Sequence, residues 1–279
     1  MMTPRPEEIV AFLDRAPAML VRLHTALGST PREAGAWMLV SRAAALNTIG
    51  GGQLEYLAID AARALLARGA LRQSLDVPLG PAIGQCCGGR TRLSVIRAVG
   101  PTRDRLLATA EADRQALPVV QVLGAGHVGR ALAAALALLP LRVVLVDGRP
   151  EELARAAPGF ETILTPLPED VVRRAPPGSA FVVLTHDHAL DFLIAREALA
   201  RGDAAYVGMI GSRTKRVSFR RWLDEAGPLD TRALVCPIGA AGRPDKRPEV
   251  IAAFVAAEIM QHVASRQTAP AAALAFHKG

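Results

Sequence analysis

Aromatic residues, lysine and cysteine are all scarce in this sequence, and each scarcity narrows what the protein can do. Aromatic residues make up 4% of the 279 positions, too few for a stacking surface that binds single-stranded nucleic acid. The only lysines are Lys215, Lys246 and Lys278, so scattered arginines supply most of the positive charge behind a net charge of +7. We interpret this charge as a compositional bias rather than a nucleic-acid-binding face, although arginines also suit acidic or phosphorylated ligands and acidic partners.

A disulfide framework, a signal peptide and a membrane-spanning run are also not indicated. Three cysteines, two of them adjacent, do not pair into a framework, so we expect a cytoplasmic protein whose thiols stay reduced. The N-terminal stretch carries acidic residues and no apolar core of a signal peptide. The longest apolar run, Ala131–Leu141, contains Pro140 and is too short to span a bilayer. We therefore expect neither a membrane nor a nucleic acid as partner.

The first hundred residues predict a small α+β domain with antiparallel strands. A helix is expected over Glu7–Ala18, followed by strands over Met19–Gly28 and Ala36–Val40 with a turn between them. A short strand, a glycine triplet and a helix over about Gln53–Arg68 come next, and the apolar residues of that helix recur at helical spacing. Two further strands flank the motif GQCCGG (Gly84–Gly89).

The rest of the chain predicts a different architecture. Segments rich in β-branched residues alternate with helical segments after Pro118, which indicates βαβ units and a parallel sheet. We therefore expect an α/β protein, with a C-terminal Rossmann-like doubly wound parallel sheet and a smaller N-terminal α+β domain. The expected boundaries are 1–101 for the first domain, 102–117 for a polar connecting helix, 118–265 for the Rossmann-like domain and 266–279 for a loose tail.

A glycine fingerprint follows the first strand of the second domain. Gly124, Gly126 and Gly129 have G-x-G-x-x-G spacing between a predicted strand and a predicted helix, the context that dinucleotide binding requires. In such a loop the glycines allow a tight turn, close approach of a phosphate and helix–strand packing, and Asp147 ends the next strand where an acid would hold a ribose hydroxyl. His127 faces either a ligand or solvent. The alternative is a domain that keeps its glycines for packing and binds nothing.

The segment LTHDHALD ends a later strand, where ligands of such sheets bind. His186, Asp187 and His188 lie in it, and they are candidates for a metal site or for a role near a ligand. The interpretation that we prefer to a metal site is a helix start, with Asp187 accepting hydrogen bonds from backbone N–H groups.

A second basic segment, IGSRTKR, also precedes a predicted helix. Ser212, Arg213 and Lys215 either hold a phosphate or form a solvated helix face.

Cys86 and Cys87 stand side by side in a glycine-rich segment. Burial is the commonest state of a free cysteine, but a bare glycine-rich loop disfavours it, and a zinc site would need more ligands than Cys236 can add. The remaining interpretation is an accessible thiolate that binds a soft metal or carries sulfur. Cys236 itself is expected to be a buried strand residue.

Eight stretches, in order along most of the chain, together carry a family resemblance. They are GSTPREAGAWMLV (Gly28–Val40), NTIGGGQLE (Asn47–Glu55), IGQCCGG (Ile83–Gly89), VLGAGHVGRAL (Val122–Leu132), VVLVDGR (Val143–Arg149), LTHDHALD (Leu184–Asp191), YVGMIGSRTKR (Tyr206–Arg216) and CPIG (Cys236–Gly239). The chain resembles the XdhC/CoxI family of xanthine dehydrogenase accessory proteins. Asn47 stands where the family pattern has glycine.

This resemblance implies a chaperone for the molybdenum cofactor, a pterin with a terminal phosphate. Such a protein holds the cofactor while a cysteine desulfurase replaces an oxo ligand with sulfide, and then helps deliver it to xanthine dehydrogenase. By analogy it is a homodimer and catalyses little or nothing alone. The cofactor-binding residues would be Gln85, Cys86, Cys87, Gly88, Gly124, Gly126, His127, Gly129, Asp147, His186 and Asp187, with the two thiols as possible molybdenum contacts.

Several alternatives stay open at this stage. The Rossmann-like cleft binds either the pterin phosphate or a separate nucleotide. A rival function is an NAD(P)-dependent oxidoreductase that uses the glycine loop and Asp147, with His186 or His188 as the acid–base group. A thiol redox sensor is a third interpretation.

Overall fold

The computed structural model describes residues 4–27, 34–79, 89–227, 229–239 and 245–268. The chain divides into two compact units, Met1–Ala116 and Leu117–Gly279. Within the described ranges, no helix is both long and apolar enough to cross a membrane.

The first unit is built on a five-stranded antiparallel sheet with the strand order β3-β2-β1-β5-β4. Its elements are α1 (Pro6–Arg15), β1 (Ala18–Leu27), β2 (Trp37–Ser41), β3 (Ala45–Asn47), α2 (Gly52–Ala67), β4 (Arg72–Leu79), β5 (Gly89–Arg97) and α3 (Pro101–Ala116). The predicted α+β architecture with antiparallel pairing is therefore confirmed.

Both faces of this first sheet are covered, because side chains of a strand alternate between the faces. Met19 and Val21 of β1 pack under the apolar stripe of α2, whereas Leu20 packs in a second cluster with α1 and α3. The helix α3, expected as a polar connection, packs in this cluster through Leu106 and Ala110.

Three connections of the first unit leave the sheet at the same end. Leu27 pairs with Arg90 and Leu79 pairs with Gly89, so residues 28–33 and 80–88 both follow strands that end there. The chain between β3 and α2 starts at this end too, because Asn47 pairs with Met38 near the start of β2. The antiparallel topology thus places the strand ends that flank three of the family-like motifs at one end of the sheet.

The second unit is a six-stranded parallel sheet with the strand order β11-β10-β9-β6-β7-β8. Its elements are β6 (Val119–Leu123), α4 (His127–Leu136), β7 (Arg142–Asp147), α5 (Pro150–Ala154), β8 (Glu161–Leu164), α6 (Pro168–Arg173), β9 (Ala180–Val183), α7 (His188–Ala200), β10 (Tyr206–Met209), α8 (Arg213–Ala226), β11 (Leu234–Val235) and α9 (Pro248–Thr268). Helices α4 and α9 pack on one face of the sheet, and α6, α7 and α8 on the other. The predicted Rossmann-like doubly wound sheet is confirmed.

The strand order fixes where a ligand can bind in this unit. The chain winds outward from β6 through β7 to β8, crosses over, and then winds the other way from β9 to β11. This is the order of dinucleotide-binding folds, in which ligands occupy the crevice where the winding direction reverses. Here the reversal lies between the carboxyl ends of β6 and β9.

Candidate functional site

The glycine loop between β6 and α4 lies at this reversal, and packing accounts for two of its glycines. Gly124 has a φ of +122°, and a Cβ atom there would lie 2.3 Å from the carbonyl oxygen of Leu184. A Cβ atom on Gly129 would lie 1.8 Å from the carbonyl oxygen of Gly124. Both distances are far below van der Waals contact, so these positions need glycine whether or not a ligand binds.

Gly126 differs from the other two glycines. Its φ of −64° is open to any residue, and a Cβ atom there would meet nothing within 4 Å. Neither backbone conformation nor packing therefore requires glycine at this position. The unfilled space lies at the N-terminus of α4, which no side chain among the described residues caps. Free N–H groups and the positive end of the helix dipole at such a place suit a phosphate.

Asp147 lies beside this loop, but the chain itself occupies its carboxylate. Oδ2 accepts hydrogen bonds from the Ala125 N–H at 2.6 Å and from Arg149 Nη2 at 2.9 Å. Oδ1 accepts from the backbone N–H and Nε of Arg149, both at 2.9 Å. A carboxylate has about four lone-pair positions, and all are used. A ribose hydroxyl would have to displace Arg149, so the ribose role expected from the sequence is not available in this conformation.

The electrostatics of Asp147 follow from these contacts. Burial by itself raises the pKa of this carboxyl, but the hydrogen bonds from Arg149 and from the N–H of Ala125 outweigh burial and lower the pKa below 3.8. The Asp147–Arg149 pair is thus charged at neutral pH, and its more exposed member is the guanidinium: 32% of the Arg149 side chain is exposed, against 7% for Asp147.

A second arginine–acid pair holds the other side of the loop. Arg130 Nη1 donates to the carbonyl oxygen of Ala125 at 2.6 Å and forms an ion pair with Glu152. The hydrogen bond from Arg130 lowers the pKa of Glu152, and Arg155 adds a further ion pair at 2.8 Å. Ala125 is therefore fixed through both its N–H and its carbonyl group, which gives the loop one defined conformation. His127, the first residue of α4, is exposed.

The segment after β9 forms a capped helix start. Oδ1 of Asp187 accepts hydrogen bonds from the N–H groups of Ala189 and Leu190, at 2.8 and 3.4 Å, which confirms the helix-start interpretation. His186 and His188 are both exposed. Like His127, they lie at the carboxyl-end edge of the sheet.

Asp191, which the sequence analysis did not single out, organises this segment. It is fully buried, and its Oδ1 accepts hydrogen bonds from the N–H of Thr185 at 2.9 Å and from Thr185 Oγ1 at 2.7 Å. Its Oδ2 forms an ion pair with Lys215 of α8. This pair ties α7 to α8 at the same edge of the sheet.

The phosphate role considered for IGSRTKR does not fit this geometry. Lys215 is nearly buried against Asp191, and the Ser212 hydroxyl oxygen caps α8 by accepting the Lys215 N–H at 3.2 Å. Only the exposed Arg213 is left for a ligand. Cys236 is buried as expected, just after β11, and burial raises the pKa of its thiol although Lys215 and Arg216 act the other way.

The motif NTIGGGQLE of the first unit also has a physical explanation. Gly50, Gly51 and Gly52 all have positive φ values, a conformation that favours glycine. The Glu55 carboxylate stabilises this conformation of the chain. It accepts hydrogen bonds from the N–H groups of Ile49 and Gly51, each at 3.1 Å, and from the Thr48 hydroxyl. Asn47 has a φ of +67°, which explains why the family pattern has glycine there.

The thiol motif is the part of the predicted site that lies outside the described residues. Gln85, Cys86, Cys87 and Gly88 all belong to residues 80–88, between β4 and β5. Their assignment to cofactor binding stays a prediction.

Comparisons with known proteins agree with both units. Residues 13–76 match the model of the XdhC and CoxI family, and residues 120–259 match that of the XdhC Rossmann domain. The chain is 28% identical over 259 residues to the uncharacterized protein YqeB of Escherichia coli, covering 88% of this chain and 43% of that protein, so it spans less than half of this relative's length.

A solved structure shares the fold. The crystal structure of a xanthine dehydrogenase from Bacillus halodurans superposes with a TM-score of 0.71, covering 96% of this chain and 98% of that one at 19% sequence identity. Likeness at this identity shows the fold, while the two matched models span most of the chain. The protein belongs to the XdhC and CoxI family.

Proposed function

We propose that this protein takes part in the maturation of xanthine dehydrogenase, as a chaperone that binds the molybdenum cofactor while it is sulfurated and then helps to insert it. Family membership supports the coarse role. The observation in the structure that carries the cofactor proposal is Gly126, the glycine that neither conformation nor packing explains.

The position of Gly126 suits the binding of the cofactor's terminal phosphate. The open space over the uncapped start of α4 admits a phosphate to the backbone. The guanidinium of Arg149 at the rim adds positive charge, and Asp147 is already neutralised by it. A phosphate is therefore favoured over the ribose diol at this rim, because the diol needs a free carboxylate.

The thiols of Cys86 and Cys87 have the sulfur-handling role in this proposal. Thiolates are soft donors that bind molybdenum or accept sulfur. The strand ends that flank residues 80–88 lie at the same end of the first sheet as the glycine triplet before α2. We propose that Gln85 and Gly88 line the cofactor beside these thiols, and that His127, His186 and Asp187 act near it in the second unit.

The partners proposed for the protein follow from this role. They are the molybdenum subunit of xanthine dehydrogenase, a cysteine desulfurase and a second copy of the chain in a homodimer. All of these are proposed to meet in the cytoplasm. An enclosed site would protect the sulfide ligand from water and oxygen.

One alternative function rests on the strand order of the second sheet, which is that of dinucleotide-binding enzymes. An NAD(P)-dependent oxidoreductase would use the same glycine loop, with His186 or His188 as the acid–base group. The occupied carboxylate of Asp147 disfavours NAD, whereas Arg149 would tolerate the additional phosphate of NADP.

One experiment separates these functions. The protein is purified from a host that makes the molybdenum cofactor, and its bound small molecules are identified by mass spectrometry. A second sample is titrated with NADH and NADPH while cofactor fluorescence is followed. The proposal expects a bound molybdopterin and no saturable nicotinamide binding. Tight nicotinamide binding with turnover, and no pterin, would establish the oxidoreductase instead.

A further inference from the structure

The exposed side of α8 carries arginines that the proposed function does not use. Arg213, Arg220 and Arg221 are exposed, and Val217 between them is 49% exposed. Their spacing of i, i+4, i+7 and i+8 places all four on one side of the helix, over a length of about 12 Å. We call these four residues the arginine face. Among the described residues, the one ion pair of α8 is formed by Lys215 with an acid of α7, so no described acid neutralises the arginine face.

The order of charges along α8 is the reverse of the order that a helix favours. Acids stabilise the N-terminal turn of a helix and bases stabilise the C-terminal turn, because of the helix dipole. The helix α1 follows this rule, with Glu7 and Glu8 in its first turn and Arg15 in its last. In α8 the first turn has no acid and the last turn has no base, and Asp224 and Glu225 lie near its end instead. A local rule broken in this way is typical of a functional surface.

The acids that could cover the arginine face come from another molecule. Outside the described ranges the sequence holds one acidic residue, Glu33. A second copy of α8 in antiparallel orientation does not fit. A two-fold axis that pairs Arg213 with the partner's Glu225 would pass near the middle of the helix, where Arg220 and Arg221 of both copies would repel each other.

A protein fits the arginine face better than a nucleic acid or an anionic membrane does. Nucleic acids and anionic membranes present only negative charge, which the acids at the end of α8 would repel. A membrane also needs apolar side chains that insert into it. The aromatic residues of α8 are used inside the unit instead: Phe219 and Trp222 pack on Phe192 of α7, with ring centroids 5.2 and 5.8 Å apart. This leaves Val217 as the apolar side chain of the arginine face.

We infer that the arginine face docks an acidic segment of another protein. Carboxylates of that segment accept paired hydrogen bonds from the planar guanidinium groups, and an apolar residue of the segment packs on Val217. A basic residue of the segment lies over Asp224 and Glu225. Contacts between exposed charges of this kind contribute mainly to the rate of association and to its dependence on salt. The inference is independent of cofactor binding.

The test uses a fluorescein-labelled peptide as the probe and the full chain as the protein. The peptide has glutamates at helical spacing around a leucine, followed by lysines in its last turn. A second peptide has glutamine in place of every glutamate. Binding is followed by fluorescence anisotropy at low ionic strength, where exposed charges are least screened. We expect saturable binding of the acidic peptide and binding at least about tenfold weaker for the glutamine peptide.

Charge-reversed variants show where the peptide binds. The double variant Arg213→Glu, Arg220→Glu should bind the acidic peptide at least about tenfold more weakly than the wild type. The matched control Arg63→Glu, Arg105→Glu changes the net charge by the same amount at two exposed positions of the first unit, and it should bind as the wild type does. The α8 variant should also unfold at the wild-type temperature or above it, because Arg213→Glu places an acid where the helix dipole favours one.

Several results would overturn the inference. They are an absence of saturable binding, equal binding of the two peptides, and equal weakening by the control variant. Tighter binding of a DNA oligonucleotide or of phosphatidylserine vesicles than of the acidic peptide would assign the face to a different class of partner. An unfolding temperature that falls in the α8 variant would show that these arginines stabilise the fold. A sedimentation mass that falls in this variant would assign the face to a second copy of the chain.

Discussion

Arg149 covers the carboxylate of Asp147 at the rim of the glycine loop, with Nε 2.9 Å from Oδ1 and Nη2 2.9 Å from Oδ2. The two residues are only two positions apart, so the chain closes this pair locally. The acid at the end of β7 thus holds an arginine and the loop residue Ala125. A ligand that approaches this rim meets a cation before it meets the acid.

Replacement of this acid should make the stability of the second unit depend on pH. Asp147→Asn keeps an acceptor for Ala125 but removes the charge, and we expect it to destabilise the unit by about 1–3 kcal/mol at neutral pH. Because folding lowers the pKa of Asp147 from 3.8, its stabilising contribution is complete above that value and is lost as the pH falls through the folded pKa. The difference between wild type and variant should therefore be constant from about pH 7 to about pH 5 and shrink below about pH 4.

Urea unfolding followed by tryptophan fluorescence checks this. The measurement is made in a Trp37→Phe background, because Trp222 of the second unit is then the only tryptophan of the sequence. The matched control is Asp230→Asn, which removes the same kind of bidentate contact to an arginine two residues on, Arg232, at an exposed site. Little change is expected there. A difference for Asp147→Asn that persists undiminished at low pH would contradict the account.

Gly126 and Gly129 of the loop should respond differently to alanine. Gly126→Ala adds a methyl group to open space, so we expect stability within about 0.5 kcal/mol of the wild type and weaker cofactor retention. Gly129→Ala forces a Cβ atom onto the carbonyl oxygen of Gly124 and should unfold or strongly destabilise the second unit. Thermal unfolding and pterin fluorescence of the retained cofactor measure the two effects. Full retention by Gly126→Ala would mean that no ligand approaches this position.

The sequence predicted elements with strong local patterns and missed one with a weak pattern. The β-branched runs of β6, β7 and β9 are buried on both faces, so their composition alone predicted them as strands. Strand β8 was not predicted because, at the sheet edge, three of its four residues are exposed and no apolar alternation distinguishes it from a loop.

The candidate site was predictable only where it depends on local spacing. The positions of Gly124, Gly129 and Asp147 follow from the motif. The pairing of Asp191 with Lys215 does not, because these residues are 24 positions apart and meet only because they lie in the helices that follow two neighbouring parallel strands, β9 and β10. The basic segment was recognised from its charge, but its partner acid lay in another motif. The two interpretations left open, a phosphate site or a solvated helix face, therefore did not include the ion pair that Lys215 forms.

The buried pair of Asp191 and Lys215 leads to a further prediction. Asp191→Leu leaves a buried ammonium group and an unpaired N–H of Thr185, whereas the Thr185 hydroxyl still has the carbonyl oxygen of Asp187 as an acceptor. We expect a loss of about 3–5 kcal/mol. The double variant Asp191→Leu, Lys215→Met removes both charges and should be less destabilised than the single variant. A double-mutant cycle by urea unfolding measures the coupling. Additive effects would show that the two charges do not depend on each other.

Cofactor retention by thiol variants tests the central claim most directly. Wild type, the double variant Cys86→Ala, Cys87→Ala, and Cys236→Ala as a matched control are each loaded with the cofactor in the producing host, passed through ultrafiltration, and assayed by pterin fluorescence. The account predicts that the double variant unfolds at the wild-type temperature but loses most of its cofactor, whereas Cys236→Ala retains it. Retention by the double variant equal to that of the wild type would contradict the account.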